Sequence, residues 1–311
     1  MNLKLASISI DLDEVPRYAA VHGLETPSAP SAHAVYDRCV PRLTAWLNDE
    51  SIQATFFAIG EDLEREENCK TIATLHDAGH EIGNHSYHHH YDLTRRAAGD
   101  IGDEIERGAT IIEQSCGRRP VGFRAPGYSV SDVLFSALEA SGVEYDSSVF
   151  PCPSYYALKA AARAAIRLRG RKSSSILDQP AVLRAPREPY RIGRPYWRKG
   201  DGMMELPIGV TPLQLPYIGT SLVLGGDQLA ERLSKQMLRR ELINLELHGF
   251  DVADAYEDGL EALRPYRADL RRTAAEKLRS LRTAVQVIRE GGFELVTLEE
   301  AARRFKAKPS P

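Results

Sequence analysis

The stretch Leu3-Lys4-Leu5-Ala6-Ser7-Ile8-Ser9-Ile10-Asp11-Leu12-Asp13 alternates almost from end to end. If it is extended, Leu5, Ser7, Ser9, Asp11 and Asp13 share one face and Ala6, Ile8, Ile10 and Leu12 the other, a period of two that predicts a strand. Its carboxylates then emerge together at the strand's C-terminal end. Further short strands are predicted at 53–59, 80–84, 121–124 and 143–146, with helical spacing of apolar residues between them at 34–47, 61–78, 93–116 and 131–141. Gly79, Gly117 and Gly142 stand just beyond three of these helices, the usual C-terminal punctuation. The segment from Glu14 to Ser31 carries Pro16, Gly23, Pro27 and Pro30 and reads as a loop. This rhythm predicts a parallel sheet with helices outside it. Polar residues recur at strand C-termini, where barrel active sites sit, so the expected fold is α/β and closed, a distorted (β/α)7-type barrel.

The chain has 311 residues, 43% of them hydrophobic and 27% charged, enough to bury a full core. A net charge of −3 lacks the basic balance of a nucleic-acid binder, and no such partner is expected. No apolar run approaches the roughly 20 residues of a membrane span. The first residues reach Asp11-Leu12-Asp13-Glu14 too soon for a signal peptide, which predicts a cytoplasmic protein. Cys39, Cys69, Cys116 and Cys152 form no Cys-x-x-Cys pair, so ordinary reduced thiols are expected.

Between about 151 and 202 the rhythm breaks, and this segment reads as an insertion, part helix and part loop, over the barrel mouth. Within it, Leu158 to Lys172 has six basic residues and no acidic one. A solvated helix face is the plain reading of that tract; the other is a membrane-surface contact attracting anionic head groups or a lipid-linked substrate. Strands at 203–206 and 243–248, helices at 228–240 and 269–289, a strand at 293–297 and a terminal helix complete the pattern.

The chemistry concentrates in His80-Glu81-Ile82-Gly83-Asn84-His85-Ser86-Tyr87-His88-His89-His90. Four of the nine histidines of the chain lie in its last six residues. His85 and His89 have the i, i+4 spacing that places two imidazoles on one face of a helical turn, a metal-ligand spacing. A third ligand is needed, and a carboxylate is usual where a position is kept open for water. Asp11 and Asp13 offer it, one to bind the metal and the other to take a proton from water. Taken singly, each motif also fits a solvated strand end or a polar loop.

Together with three more motifs, these residues resemble the polysaccharide deacetylases, carbohydrate esterase family 4 with its NodB-like catalytic domain. His85-Ser86-Tyr87-His88-His89, preceded by Gly79-His80-Glu81-Ile82, is similar to the family's His-(Ser/Thr)-x-x-His metal motif. Phe123-Arg124-Ala125-Pro126 resembles its Arg-x-Pro motif, and Tyr145-Asp146-Ser147-Ser148 and Leu247-His248 its fourth and fifth. The resemblance runs from about Leu3 to Phe305 and implies one catalytic domain over 1–311. The family commonly has adjacent aspartates, whereas Leu12 separates Asp11 from Asp13 here, similar to an Asp-x-Asp subgroup and to lipid-linked formamido-arabinose deformylases. That resemblance makes Asp11 the general base and Asp13 the metal ligand with His85 and His89.

The remaining roles follow amide hydrolysis. Arg124 is expected to pair with Asp11 and orient it. Backbone N–H groups after Pro126, Gly127 first and then Tyr128, are expected to face the oxyanion, and His248 to protonate the leaving amine while Asp146 holds its imidazole. Glu246 stands where the family often has an apolar residue. It reads either as a rim carboxylate paired with an arginine or as a specificity element for a polar or cationic part of the substrate. His88 and His90 carry no assigned role.

The expected activity is metal-dependent removal of an N-acyl group, acetyl foremost, from an amino sugar, glycan or glycan-like intermediate. One divalent ion is implied, zinc first, with cobalt, nickel or manganese as alternatives. A deformylase, a hydrolase of a lipid-linked or non-sugar amide, or a non-catalytic glycan-binding relative are the other readings.

Overall fold

The computed structural model describes residues 3–25 and 31–308. Their strands are β1 (Leu5–Asp11), β2 (Thr55–Ala58), β3 (Glu81–Asn84), β4 (Gly122–Phe123), β5 (Tyr145–Asp146), β6 (Tyr190–Ile192), β7 (Lys199–Glu205), β8 (Leu242–His248) and β9 (Glu294–Leu295). The helices are α1 (Val15–Val21), α2 (Val40–Asp49), α3 (Glu66–Asp77), α4 (Ala98–Cys116), α5 (Asp132–Ala140), α6 (Pro153–Leu168), α7 (Gly219–Met237), α8 (Ala274–Glu290) and α9 (Leu298–Lys306).

The strands form one curled sheet in the order β6-β7-β5-β4-β3-β2-β1-β8, with β9 also against β1. From β7 to β8 every neighbouring pair is parallel, and only β6 runs against its neighbour. This is the expected α/β fold, a distorted (β/α)7-type barrel. Main-chain and side-chain contacts, not a full ladder, bridge its two ends: Gly209 N–H donates to Asn244 O (3.0 Å), and Asn244 Nδ2 donates to Leu206 O (3.1 Å). β1 is buried at every position because helices cover it outside and the barrel interior lies within. Ile8, Ile10 and Leu12 join the main core with Leu43, Trp46, Leu245, Leu281 and Val285.

Three local readings differ from expectation. The segment after Glu14 begins as α1, because the Glu14 carboxylate accepts the Val15 N–H and Pro16 sits in the first turn, where its missing N–H costs nothing. Pro27 and Pro30 lie outside the described residues. The helix expected from 228 starts at Gly219 and kinks at Gly226, whose φ is 72°. His85 to His90 is not helical: the chain leaves β3 as a loop with left-handed residues at Ser86 (φ 63°) and His89 (φ 56°).

The segment 151–202 holds α6, then a tract that returns to the sheet through β6 and β7. No residue of α6 is fully buried. Among the described residues, no helix is long and apolar enough to cross a membrane. All four cysteines are unpaired.

Candidate active site

Strand register assembles the site. Asp11 stands level with His248 on β8 and with Phe57 on β2. On the same inward face, Ser9 stands level with Glu246. The His85–His90 loop is placed by α4, which packs close because Gly108 has no side chain. A Cβ there would come within 2.4 Å of Asn84 Oδ1 and 3.1 Å of the Ser86 carbonyl carbon. Asn84 Nδ2 donates to Ile105 O (2.8 Å), and Glu104 accepts the His88 N–H (2.9 Å) as well as a hydrogen bond from its ring. His90 stacks on His88. His88 and His90 therefore anchor the loop against α4, and His80, whose Nδ1 accepts Ala54 N–H (3.1 Å), ties β3 to its neighbour.

Asp13, His85 and His89 converge, with one ligand atom from each lying within 4.8 Å of the others. Nε2 of His89 is 2.8 Å from Asp13 Oδ1, and Nε2 of His85 is 3.8 Å from Asp13 Oδ2. His85 Nδ1 donates to the Arg124 carbonyl (2.6 Å), which orients the ring and turns Nε2 into the group. Asp13 Oδ2 is buried with no hydrogen-bond partner. Burial opposes a charge on Asp13, but His89, His85 and His248 outweigh it and hold the carboxyl well below the usual range. Burial pushes the His89 imidazole down to about 4 against the pull of Asp13, so it is neutral near pH 7. An anionic oxygen beside two imidazoles, His85 already oriented by the hydrogen bond from its other ring nitrogen, fits a divalent cation.

Beside this triad lies an ion pair. Arg124, fully buried, donates from Nη1 to Asp11 Oδ1 (2.7 Å), from Nη2 to Ser9 Oγ (2.9 Å) and Ser147 Oγ (2.8 Å), and from Nε to Ser147 O (2.8 Å). Asp11 Oδ2 is left without a hydrogen-bond partner and lies 3.8 Å from His85 Nε2. Ser9, Ser147 and Asn244, which donates to Ser147 Oγ (2.9 Å), are supporting residues that the sequence reading missed. Ser9 and Asn244 lay on the alternation faces already marked by Asp11 and His248.

On the neighbouring strand β8, His248 Nε2 is 3.8 Å from Asp13 Oδ2 and Nδ1 is 2.9 Å from Glu246 Oε1. Burial works against a charge on His248, but Glu246, Asp13 and Asp11 prevail and its pKa is pushed up to about 10. Neither expectation for Glu246 describes this position: it is wholly buried, with no arginine in salt-bridge range, and its carboxylate faces the imidazole. Asp146 makes no hydrogen bond or ion pair with His248. It stands level with Glu205 on β7 and accepts Ser148 N–H (2.9 Å) and Oγ–H (2.8 Å), while burial and the neighbouring Asp146 push the Glu205 carboxyl well up.

Pro126-Gly127-Tyr128 turns at the rim, with φ of 61° at Gly127 and 60° at Tyr128. Tyr128 N–H donates to Ala125 O (3.0 Å), so that donor is spent within the turn and Gly127 N–H is the remaining candidate. The Tyr128 and Tyr18 rings flank His248 edge-on, at 6.3 and 6.1 Å between centroids, and both hydroxyls are buried without partners. Asp11, Asp13, His85, His89, Gly127 and His248, with Tyr18 and Tyr128, line one cavity of about 320 Å³.

Residues 30–145 match the family model described as "Polysaccharide deacetylase". A peptidoglycan deacetylase of Helicobacter pylori is 27% identical over 148 residues, 47% of this chain and 49% of that protein, so the chain spans about half the length of this relative. A solved structure from Mycobacterium smegmatis, assigned to the polysaccharide deacetylases, matches over 99% of this chain and 96% of its own with a TM-score of 0.61 at 17% identity. A CE4-family pseudoenzyme from Bacillus anthracis matches 97% of this chain and 66% of its own, with a TM-score of 0.51 at 14% identity. These two structures speak for the fold alone. Over residues 30–145, less than half of the chain, the sequence thus resembles the polysaccharide deacetylases, and the fold agrees with that resemblance.

Proposed function

We propose that this protein is a metal-dependent amide hydrolase that removes an N-acyl group, acetyl foremost, from an amino sugar or glycan-like molecule. The observation that carries this reading is the arrangement of three buried groups around one cavity: Asp13 with His85 and His89, Asp11 with Arg124, and His248 with Glu246. A divalent cation on Asp13, His85 and His89, zinc foremost, would supply Lewis acidity toward water and the amide carbonyl.

The chain's own residues supply the rest. Arg124 holds one oxygen of Asp11, leaving Oδ2 to accept the proton of the attacking water. Gly127 N–H would donate to the developing oxyanion, a contribution of about 3 kcal/mol in comparable sites. His248, cationic near pH 7 beside Glu246, carries the proton that the departing amine needs. The test is acetate and formate release from N-acetyl and N-formyl amino sugars by metal-loaded protein. Asp11→Asn is expected to lower turnover at least about 10²-fold. Equal turnover by that variant would sink the assignment of the base.

A further inference from the structure

The barrel mouth is roofed. From Pro153 to Asp178 the chain crosses above the site and is tied down on two sides. On one side Lys159 Nζ donates to Gly127 O (2.9 Å) and Ser154 Oγ to Gln214 O (2.6 Å). On the other, Arg171 Nη2 donates to the Tyr266 hydroxyl (3.2 Å) and Ser174 N–H to Ala20 O (3.3 Å). Tyr156, whose hydroxyl donates to Asp178 O (3.0 Å), closes the strap on itself.

The cavity beneath is polar at its floor and apolar at its roof. Tyr155, Leu158 and Ala162 of α6 line it together with Ile218 and Leu224. Leu158 and Leu224 line the cavity while remaining 67% and 44% exposed, so apolar surface continues from the chamber to the outside. Below them the unpartnered Tyr18 and Tyr128 hydroxyls offer hydrogen bonds beside His248.

An internal residue of a polysaccharide must enter with chain on both sides, and the strap is fastened at both edges. About 320 Å³ lies near the lower end of small-ligand cavities, roughly 300–1,000 Å³. We propose that the site takes a single amphiphilic N-acyl amino sugar end-on, with its amide at the floor and a hydrocarbon or aryl substituent against Leu158 and Leu224, and that it excludes internal residues of a glycan polymer. This specificity rests on the amide-hydrolase reading above.

The experiment compares acetate release from octyl N-acetyl-β-glucosaminide, free N-acetylglucosamine and an N-acetylglucosamine hexamer by metal-loaded full chain. Binding of octyl β-glucoside, which has no amide, is measured alongside by calorimetry. The octyl compound is expected to exceed both others in kcat/KM by about tenfold or more, the worth of a few buried methylenes. Leu158→Asp is expected to erase that preference and weaken octyl glucoside binding by a similar factor. A hexamer hydrolysed as fast as the octyl compound overturns the inference and leaves the proposed function standing. If none of the three releases acetate, the proposed function fails on these substrates and binding decides: octyl glucoside bound in a Leu158→Asp-sensitive way supports the chamber's specificity, and no binding overturns it.

Discussion

His248 Nδ1 lies 2.9 Å from Glu246 Oε1, the two residues standing two apart on one strand with both side chains turned into the barrel. A carboxylate there fixes which ring nitrogen faces the site and stabilises the imidazolium. Glu246→Gln is expected to lower kcat about 10–100-fold with little change in KM, since Glu246 acts on the imidazole and not on the substrate. Glu246→Asp should recover part of the loss. A change confined to KM would return Glu246 to substrate recognition.

Asp13, His85 and His89 carry the expectation for a cation. Zinc at about 100 times its Kd should stabilise the folded chain by about 2.7 kcal/mol, visible as a rise in Tm. Asp13→Asn and His89→Ala should abolish most of that rise. Retention of the full shift in both variants would place zinc elsewhere.

Arg124 is a fully buried cation paired with Asp11. Removing one partner strands the other in a low-dielectric interior, so Arg124→Met should cost about 3–5 kcal/mol in urea unfolding. Replacing both, as Asp11→Leu with Arg124→Met, should recover most of that stability while removing the proposed base. Equal losses in the single and double variants would show that the pair is not the source of the penalty.

Lys159 gives a pH signature. Burial pushes its ammonium down to about 8, with Asp178 opposing. In the unfolded chain a lysine titrates near about 10.4, so between the two values the unfolded state binds more protons and stability rises with pH. Below about 8 both states are protonated and the burial cost is present in full. The Tm of Lys159→Met relative to the parent should therefore fall as pH goes from about 7 to about 10. A constant difference would mean the ammonium is not under burial stress.

Much of this was legible in one dimension. The alternation through Asp13 set a strand and its carboxylates, and the strand and helix rhythm set a barrel, because burial on one face or both writes itself into the sequence period. Contacts across the barrel left no such mark. Asp146 was assigned to His248 through family resemblance, yet the register sets it beside Glu205, and the carboxylate on the imidazole comes from the histidine's own strand. The His85–His89 spacing predicts a helical turn, but two left-handed residues bring the same rings to 4.7 Å between centroids in a loop. Spacing constrains which side chains can meet, and several backbone paths satisfy it. α1 was hidden for a related reason, since proline marks both loops and first helical turns.

Position 124 serves the site twice: its guanidinium grips Asp11 while its main-chain oxygen sets the ring of His85. Every amino acid carries that oxygen. Under the proposed function, mutation would therefore remove the partner of the proposed base and leave the His85 ring oriented as before, while no substitution at this position does the reverse. On that reading, loss of proton handling with the His85 ring still oriented is the downhill path from this architecture, and Asp11→Asn alone is a step along it.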